Sequence, residues 1–296
     1  MKFLVTGSAG LVGRQVVKDL LKSYENVYSC YHNSKPEDGF ATQIDLADQN
    51  SIIKTVETIR PDVIVHLAAM TNVDQCETEK ELAQKINARS TAIISEQAKK
   101  HGAFLLYVST DYVFDGKKGL KKETDGTDPV DHYGRSKLEG EKAVQDVASS
   151  WCIARTSTPY GMHQKKKSFP LFVAENLQAK IPLDIVTDQY TSPTYVPNLS
   201  RMLIEISSRK IQGIIHTAGA TRISRYEMAE MVAEKLNLDK KLLRPTNMSA
   251  MNWKAPRPQD SSLDVSKAAS LLKEKPMTVE KGLDLFIEEL RSGFAT

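Results

Sequence analysis

The sequence predicts an α/β fold: a doubly wound parallel sheet, Rossmann-like, with a smaller, discontinuous C-terminal substrate-binding region. Three observations predict it. Short apolar segments alternate with longer segments of helical periodicity, the pattern of strands covered on both faces. Gly7, Gly10 and Gly13 stand where the first strand turns into the first helix. The polar candidates that follow all fall on one edge of the sheet, where such folds bind ligands.

Taken in order, "KFLV" (2–5) is a strand closed by "TGSAG", and residues 11–22 carry apolar positions 12, 16, 17, 20 and 21 at helical spacing. "NVYSCY" (26–31) and "TQIDL" (42–46) are the second and third strands, and 49–60 is a helix. Pro61 opens the apolar strand "PDVIVHLAA" (61–69), and a long helix over 79–100 stops near His101-Gly102. "AFLLYVST" (103–110) is strand five, a helix begins around Tyr133, and "WCIART" (151–156) is strand six. Residues 1–158 form the expected dinucleotide-binding domain, to which 193–222 returns; 159–192 and 223–296 form the expected substrate region. There, 167–180 reads as a helix lining a cleft, and Ser224-Arg225-Tyr226-Glu227 as a capping box.

Composition narrows the functional classes. With 41% hydrophobic and 26% charged residues the chain has a globular composition, and a net charge of +3 over 296 residues argues against nucleic acid or a membrane surface. No apolar run approaches the ~18 residues of a membrane span, and "MKFLVTG" is too short for a signal-peptide core. Cys30, Cys76 and Cys152 form no C-x-x-C, so neither a disulfide framework nor a metal site is expected. They read as free thiols, and the protein as cytoplasmic.

The chemistry-bearing positions follow from that frame. Glycines at 7, 10 and 13 let backbone amides, with Leu11 and Val12 opening the helix, approach a pyrophosphate at a helix N-terminus. Asp45-Leu46 ends strand three, where the carboxylate either accepts from an adenine amino group or caps the next helix. Ala68 and Ala69 offer small residues against a cofactor after strand four. Strand two ends without an acid before Glu37, whereas NAD enzymes place one there. Arg14, His32 and Lys35 can instead receive a 2′-phosphate, so NADPH is expected, with NADH left open. Tyr133 and Lys137 share a helix face at i, i+4. Tyr31 and Lys35 have the same spacing, and only position along the chain separates the two pairs. Lys165–Lys167 reads as a solvated run.

Thr6-Gly7-x-x-Gly10-x-x-Gly13, Asp45-Leu46, Thr110 and Tyr133-x-x-x-Lys137 resemble the extended short-chain dehydrogenase/reductase superfamily. "STDYVFDG" (109–116), "TDQYTSPT" (187–194) and "RPQDSSLD" (257–264) are similar to its dTDP-4-dehydrorhamnose reductase family. That family includes a non-enzymatic branch, the regulatory beta subunit of methionine adenosyltransferase. The resemblance implies that Thr110, Tyr133 and Lys137 are catalytic, with Lys137 lowering the Tyr133 pKa and holding the nicotinamide ribose. It implies a nucleotide-sugar substrate near Thr110, Asp111, Tyr112 and Asn87. Arg257, in a Pro-flanked loop, is either a bidentate partner for the diphosphate or a surface arginine. Asn87 also resembles a position supporting the active-site helix. A homodimer is one possible assembly, and under the second branch the partner is the methionine adenosyltransferase catalytic subunit. Tyr112 stands where 4,6-dehydratases carry Glu, leaving simple reduction. Thr158 stands where the rhamnose reductases carry Trp against the sugar.

Overall fold

The computed structural model describes residues 1–163 and 166–293. Lys165 of the lysine run and residues 294–296 of the expected substrate region lie outside the described residues. Seven parallel strands form the main sheet: β1 (Phe3–Thr6), β2 (Val27–Tyr31), β3 (Phe40–Gln43), β4 (Val63–His66), β5 (Phe104–Thr110), β6 (Trp151–Thr156) and β7 (Gly213–His216). Their spatial order is β7-β6-β5-β4-β1-β2-β3. Strand order reverses between β1 and β4, which opens a crevice at the carboxyl edge there.

Alternate side chains explain why these runs are strands buried on both sides. Phe3 and Val5 point to one face, against Val16, Val17 and Leu20 of α1 (Leu11–Leu20). The same core takes Leu199, Met202, Leu203 and Ile206 from Val196–Arg209, so this later helix and β7 both join the sheet layer. Leu4, Ile64, Leu105 and Ile153 point to the other face. They meet Ile52 and Val56 of α2 (Gln49–Ile59), Ile94 and Ala98 of Ser90–His101, and Val144 of His132–Val147. A separate core gathers Leu171, Val173, Met228, Val232, Leu283 and Phe286 around the paired strands Leu183–Val186 and Leu243–Thr246.

Three expected elements differ, each for a local reason. The third strand covers 40–43 and leaves Asp45-Leu46 beyond it. Strand four ends at His66 because Leu67 N and Ala68 N both donate to Thr6 Oγ1, at 3.2 and 3.1 Å, instead of continuing the ladder. The long helix over 79–100 is broken. Helical structure starts at α3 (Val73–Thr78), capped by Asn72 Oδ1 on Gln75 N, and continues as α4 (Lys80–Gln84). A π-helical turn over Lys85–Arg89 then precedes α5 (Ser90–His101). Such turns cluster at functional sites, and this one carries Asn87. The stop at His101-Gly102 is as expected, with Gly102 in the left-handed region. Among the described residues no helix is long and apolar enough to cross a membrane.

Candidate active site

A cleft of about 720 Å³ lies along the carboxyl edge of the sheet, within the ~300–1,000 Å³ usual for ligand and cofactor sites. One wall is the glycine loop. A Cβ built on Gly13 would lie 2.1 Å from Gly7 O, so only glycine lets α1 pack this closely against the loop. Gly10 opens α1 with no side-chain cap, which leaves its first amides for an anion. Gly7, Leu11 and Val12 line the same wall, and Ala68 and Ala69 face it. These features fit a dinucleotide pyrophosphate: a cradle without side chains, ending on an uncapped helix.

A buried chain of hydrogen bonds ties this loop to the rest of the site. Thr6 Oγ1, already accepting from two amides, donates to His66 Nδ1 at 2.7 Å. His66 Nε2 then donates to Thr91 Oγ1 at 3.1 Å, and Thr91 Oγ1 donates to Asn87 O at 2.8 Å. Burial, reinforced by Lys137, pushes the His66 imidazole down to about 3, so it stays neutral. The Asn87 side chain bonds both polar groups of Met70 and donates to Ser136 Oγ at 2.9 Å. Asn87 thus braces the helix that carries Tyr133, and it does not line the cleft.

That helix is α6 (His132–Val147), capped by Asp131 Oδ1 on Gly134 N at 2.7 Å. It lies tight against the end of β5: a Cβ on Gly134 would sit 2.1 Å from Tyr112 O. Tyr133 and Lys137 both face the cleft, with Thr110, Asp111 and Tyr112 opposite. The Tyr112 and Tyr133 rings meet edge to face at 5.9 Å.

The electrostatics correct one expectation. Burial pushes the Tyr133 phenol well above its ordinary value; the Thr110 hydroxyl opposes this, while the acids Asp111 and Asp131 add to it. The Lys137 ammonium does not outweigh that rise. Its Nζ turns away, donating to Val108 O at 2.9 Å and standing 4.1 Å from the Tyr107 ring centre. Burial also pushes the Lys137 ammonium down to about 7, with Glu141 opposing. For both groups desolvation is the largest influence.

Other expected residues fall in different places. Asp111 reaches the cleft wall, but its carboxylate accepts from Ser157 Oγ at 2.7 Å, Ser261 Oγ at 2.5 Å and Thr110 Oγ1 at 3.0 Å. His32 lines the cleft, and Arg14 lines a smaller adjoining cavity. Asp45 and Leu46 line neither. Asp45 Oδ1 accepts from Ala47 N, and the cap of α2 is Asp48. Leu46 packs against the sheet core. Tyr31 lines the cleft and Lys35 lines the small cavity, so the second Tyr-x-x-x-Lys pair is split between two spaces. Lys166 and Lys167 are exposed as expected, yet both border the cleft, and Lys167 pairs with Glu175 at 2.6 Å.

Arg257 is the clearest correction. Its Nη2 lies 3.0 Å from Asp74 Oδ1, its Nη1 donates to Ala255 O, and it does not line the cleft. Arg225 stands there instead, 5.0 Å from the Phe169 ring centre and close enough to Asp111 to feel its charge. The capping box that places it was legible: Ser224 Oγ accepts from Glu227 N and Glu227 Oε2 accepts from Ser224 N. Which way the first residue of that helix points was not. Thr158 also lines the cleft, with φ of +41°, a strained conformation for a β-branched residue.

Comparison with known proteins decides the family. The model of the RmlD substrate binding domain matches residues 1–292. The chain belongs to this family. Among its members with a solved structure, the dTDP-4-dehydrorhamnose reductase of Bacillus anthracis in complex with NADP superposes with a TM-score of 0.88 at 28% identity. That match covers 98% of this chain and 100% of the other. A probable low-salt glycan biosynthesis reductase of Haloferax volcanii is 31% identical over 288 residues, 96% of each protein. Methionine adenosyltransferase 2 subunit beta of Bos taurus is 30% identical over 278 residues, 91% of this chain and 82% of that protein. Both branches of the resemblance are therefore present among the relatives of this RmlD-family chain.

Proposed function

We propose that this chain is an NADPH-dependent reductase of the 4-keto group of a nucleotide-linked deoxysugar, most specifically dTDP-4-dehydro-L-rhamnose to dTDP-L-rhamnose. One observation carries the reading: Thr110, Tyr133 and Lys137 face a single cleft whose other wall is an uncapped, side-chain-free pyrophosphate cradle. NADPH, when bound, supplies the hydride. Tyr133 donates the proton that converts the ketone oxygen to a hydroxyl; held protonated by burial, it enters the reaction as an acid. Thr110 holds the same oxygen by a hydrogen bond once its hydroxyl leaves Asp111 Oδ1, and stabilises its developing charge. Lys137 holds the nicotinamide ribose once its Nζ leaves Val108 O. Arg225 takes the diphosphate role first expected of Arg257. On this reading 1–158 with 193–222 carries the dinucleotide and the remainder the sugar, in a cytoplasmic protein whose three thiols are free and buried.

A second reading, a dinucleotide-binding beta subunit of a methionine adenosyltransferase, is favoured by Thr158, which lines the cleft where the rhamnose reductases carry Trp against the sugar. Absorbance at the nicotinamide band separates the two. The purified protein is expected to oxidise NADPH when given dTDP-4-dehydro-L-rhamnose, with a high KM because Thr158 packs poorly. No consumption above a Tyr133→Phe control, from folded protein that binds NADPH, would favour the subunit.

Calorimetric titration is expected to show NADPH binding more tightly than NADH, because Arg14, Lys35 and Lys166 surround the small cavity at the end of β2. Equal affinities, or a preference for NADH, would reject that assignment.

A further inference from the structure

The small cavity of about 150 Å³ beside α1 holds an unexpected acid. Arg14 Nη2 lies 2.7 Å from Glu37 Oε2, with the two side chains 38% and 59% exposed. The loop between β2 and β3 brings Glu37 there, anchored by Ser29 Oγ donating to Asp38 O at 2.8 Å. Across the cavity, Lys166 N donates to His163 Nδ1 at 3.0 Å, which leaves His163 Nε2 as the N–H that donates to Ala9 O at 3.2 Å. That contact holds His163 against the glycine loop, and Lys166, bonded to the same ring, borders the same space as Lys35, Arg14 and Glu37.

We infer that Glu37 sets the dinucleotide preference of this chain by occupying Arg14 in the dinucleotide-free protein, as an internal competitor of the ribose 2′-phosphate. The inference rests on the NADPH reading above. A 2′-phosphate must displace the carboxylate from Arg14 and then lie beside it, with like charges a few ångströms apart. A 2′-hydroxyl carries no charge and can donate to Glu37. Glu37 therefore weakens NADPH selectively. An acid delivered from the following loop stands in for the one missing at the end of β2, and the selectivity is the balance between it and three cations.

The test is calorimetry of the full chain and of Glu37→Gln with NADPH, NADH and adenosine 2′,5′-bisphosphate, at low and high salt. Glu37 is exposed, so the variant is expected to fold normally, which circular dichroism checks. At low salt Glu37→Gln is expected to tighten NADPH and the bisphosphate about three- to fivefold, the scale of an exposed charge pair. NADH should stay within about twofold or weaken, and high salt should shrink the gain. If the unaltered chain prefers NADPH but Glu37→Gln binds it no better, this inference alone fails. Equal tightening of NADH also overturns it. Failure of the unaltered chain to bind NADPH overturns the cofactor reading together with this one.

Discussion

Replacing Tyr133 by Phe is expected to lower turnover at least about a hundredfold, the usual scale for losing a general acid, with NADPH affinity unchanged. The change removes one oxygen from a half-buried ring. It leaves the edge-to-face contact with Tyr112 in place. It also leaves the Asp131 cap and the Asn87 brace through Ser136 untouched. The fold therefore gives no reason for a loss, and a fall in turnover with retained binding reports proton transfer. Stopped-flow or steady-state oxidation of NADPH, paired with calorimetry, checks both halves. Near-normal turnover in this variant would remove Tyr133 from the chemistry.

The largest effect on stability is expected at Glu141. Its carboxylate takes a bidentate pair from Arg155, Nε at 2.9 Å and Nη2 at 2.7 Å, with the two side chains 1% and 3% exposed. Arg155 also lies 5.1 Å from the Phe114 ring centre, and its Nη1 has no hydrogen-bond partner among the described residues. Glu141→Ala leaves a guanidinium buried without a counter-charge, at a cost of about 3–5 kcal/mol. Replacing both residues by Met is expected to recover most of that loss, because the penalty belongs to the unpaired charge and not to the absence of the pair. Urea unfolding of the two variants measures this. A cost below about 1 kcal/mol for the single variant would mean that water reaches Arg155.

The sequence alone determined the layered fold and the sheet edge along which the cleft lies. Both follow from local patterns: the period of apolar residues, glycines where backbone must approach backbone, and small or polar residues at strand ends. Those patterns act within a few residues, so they survive without knowledge of the tertiary structure. Position along the alternating elements also separates Tyr133/Lys137 from Tyr31/Lys35.

What only the tertiary structure decided are juxtapositions across long separations and the directions of flexible side chains. Arg225 enters the cleft while Arg257 is held by Asp74, because a guanidinium goes to the carboxylate that the fold brings within reach. Asp74 lies 180 residues from the backbone amide of Lys254, to which it also bonds. Glu37 meets Arg14 only once the β2–β3 loop folds back over α1. The rise of Tyr133 and the fall of Lys137 come from burial, which no spacing of residues states. Desolvation is a property of the enclosed cleft as a whole, and its sign opposes what the Tyr-x-x-x-Lys pair implies by itself.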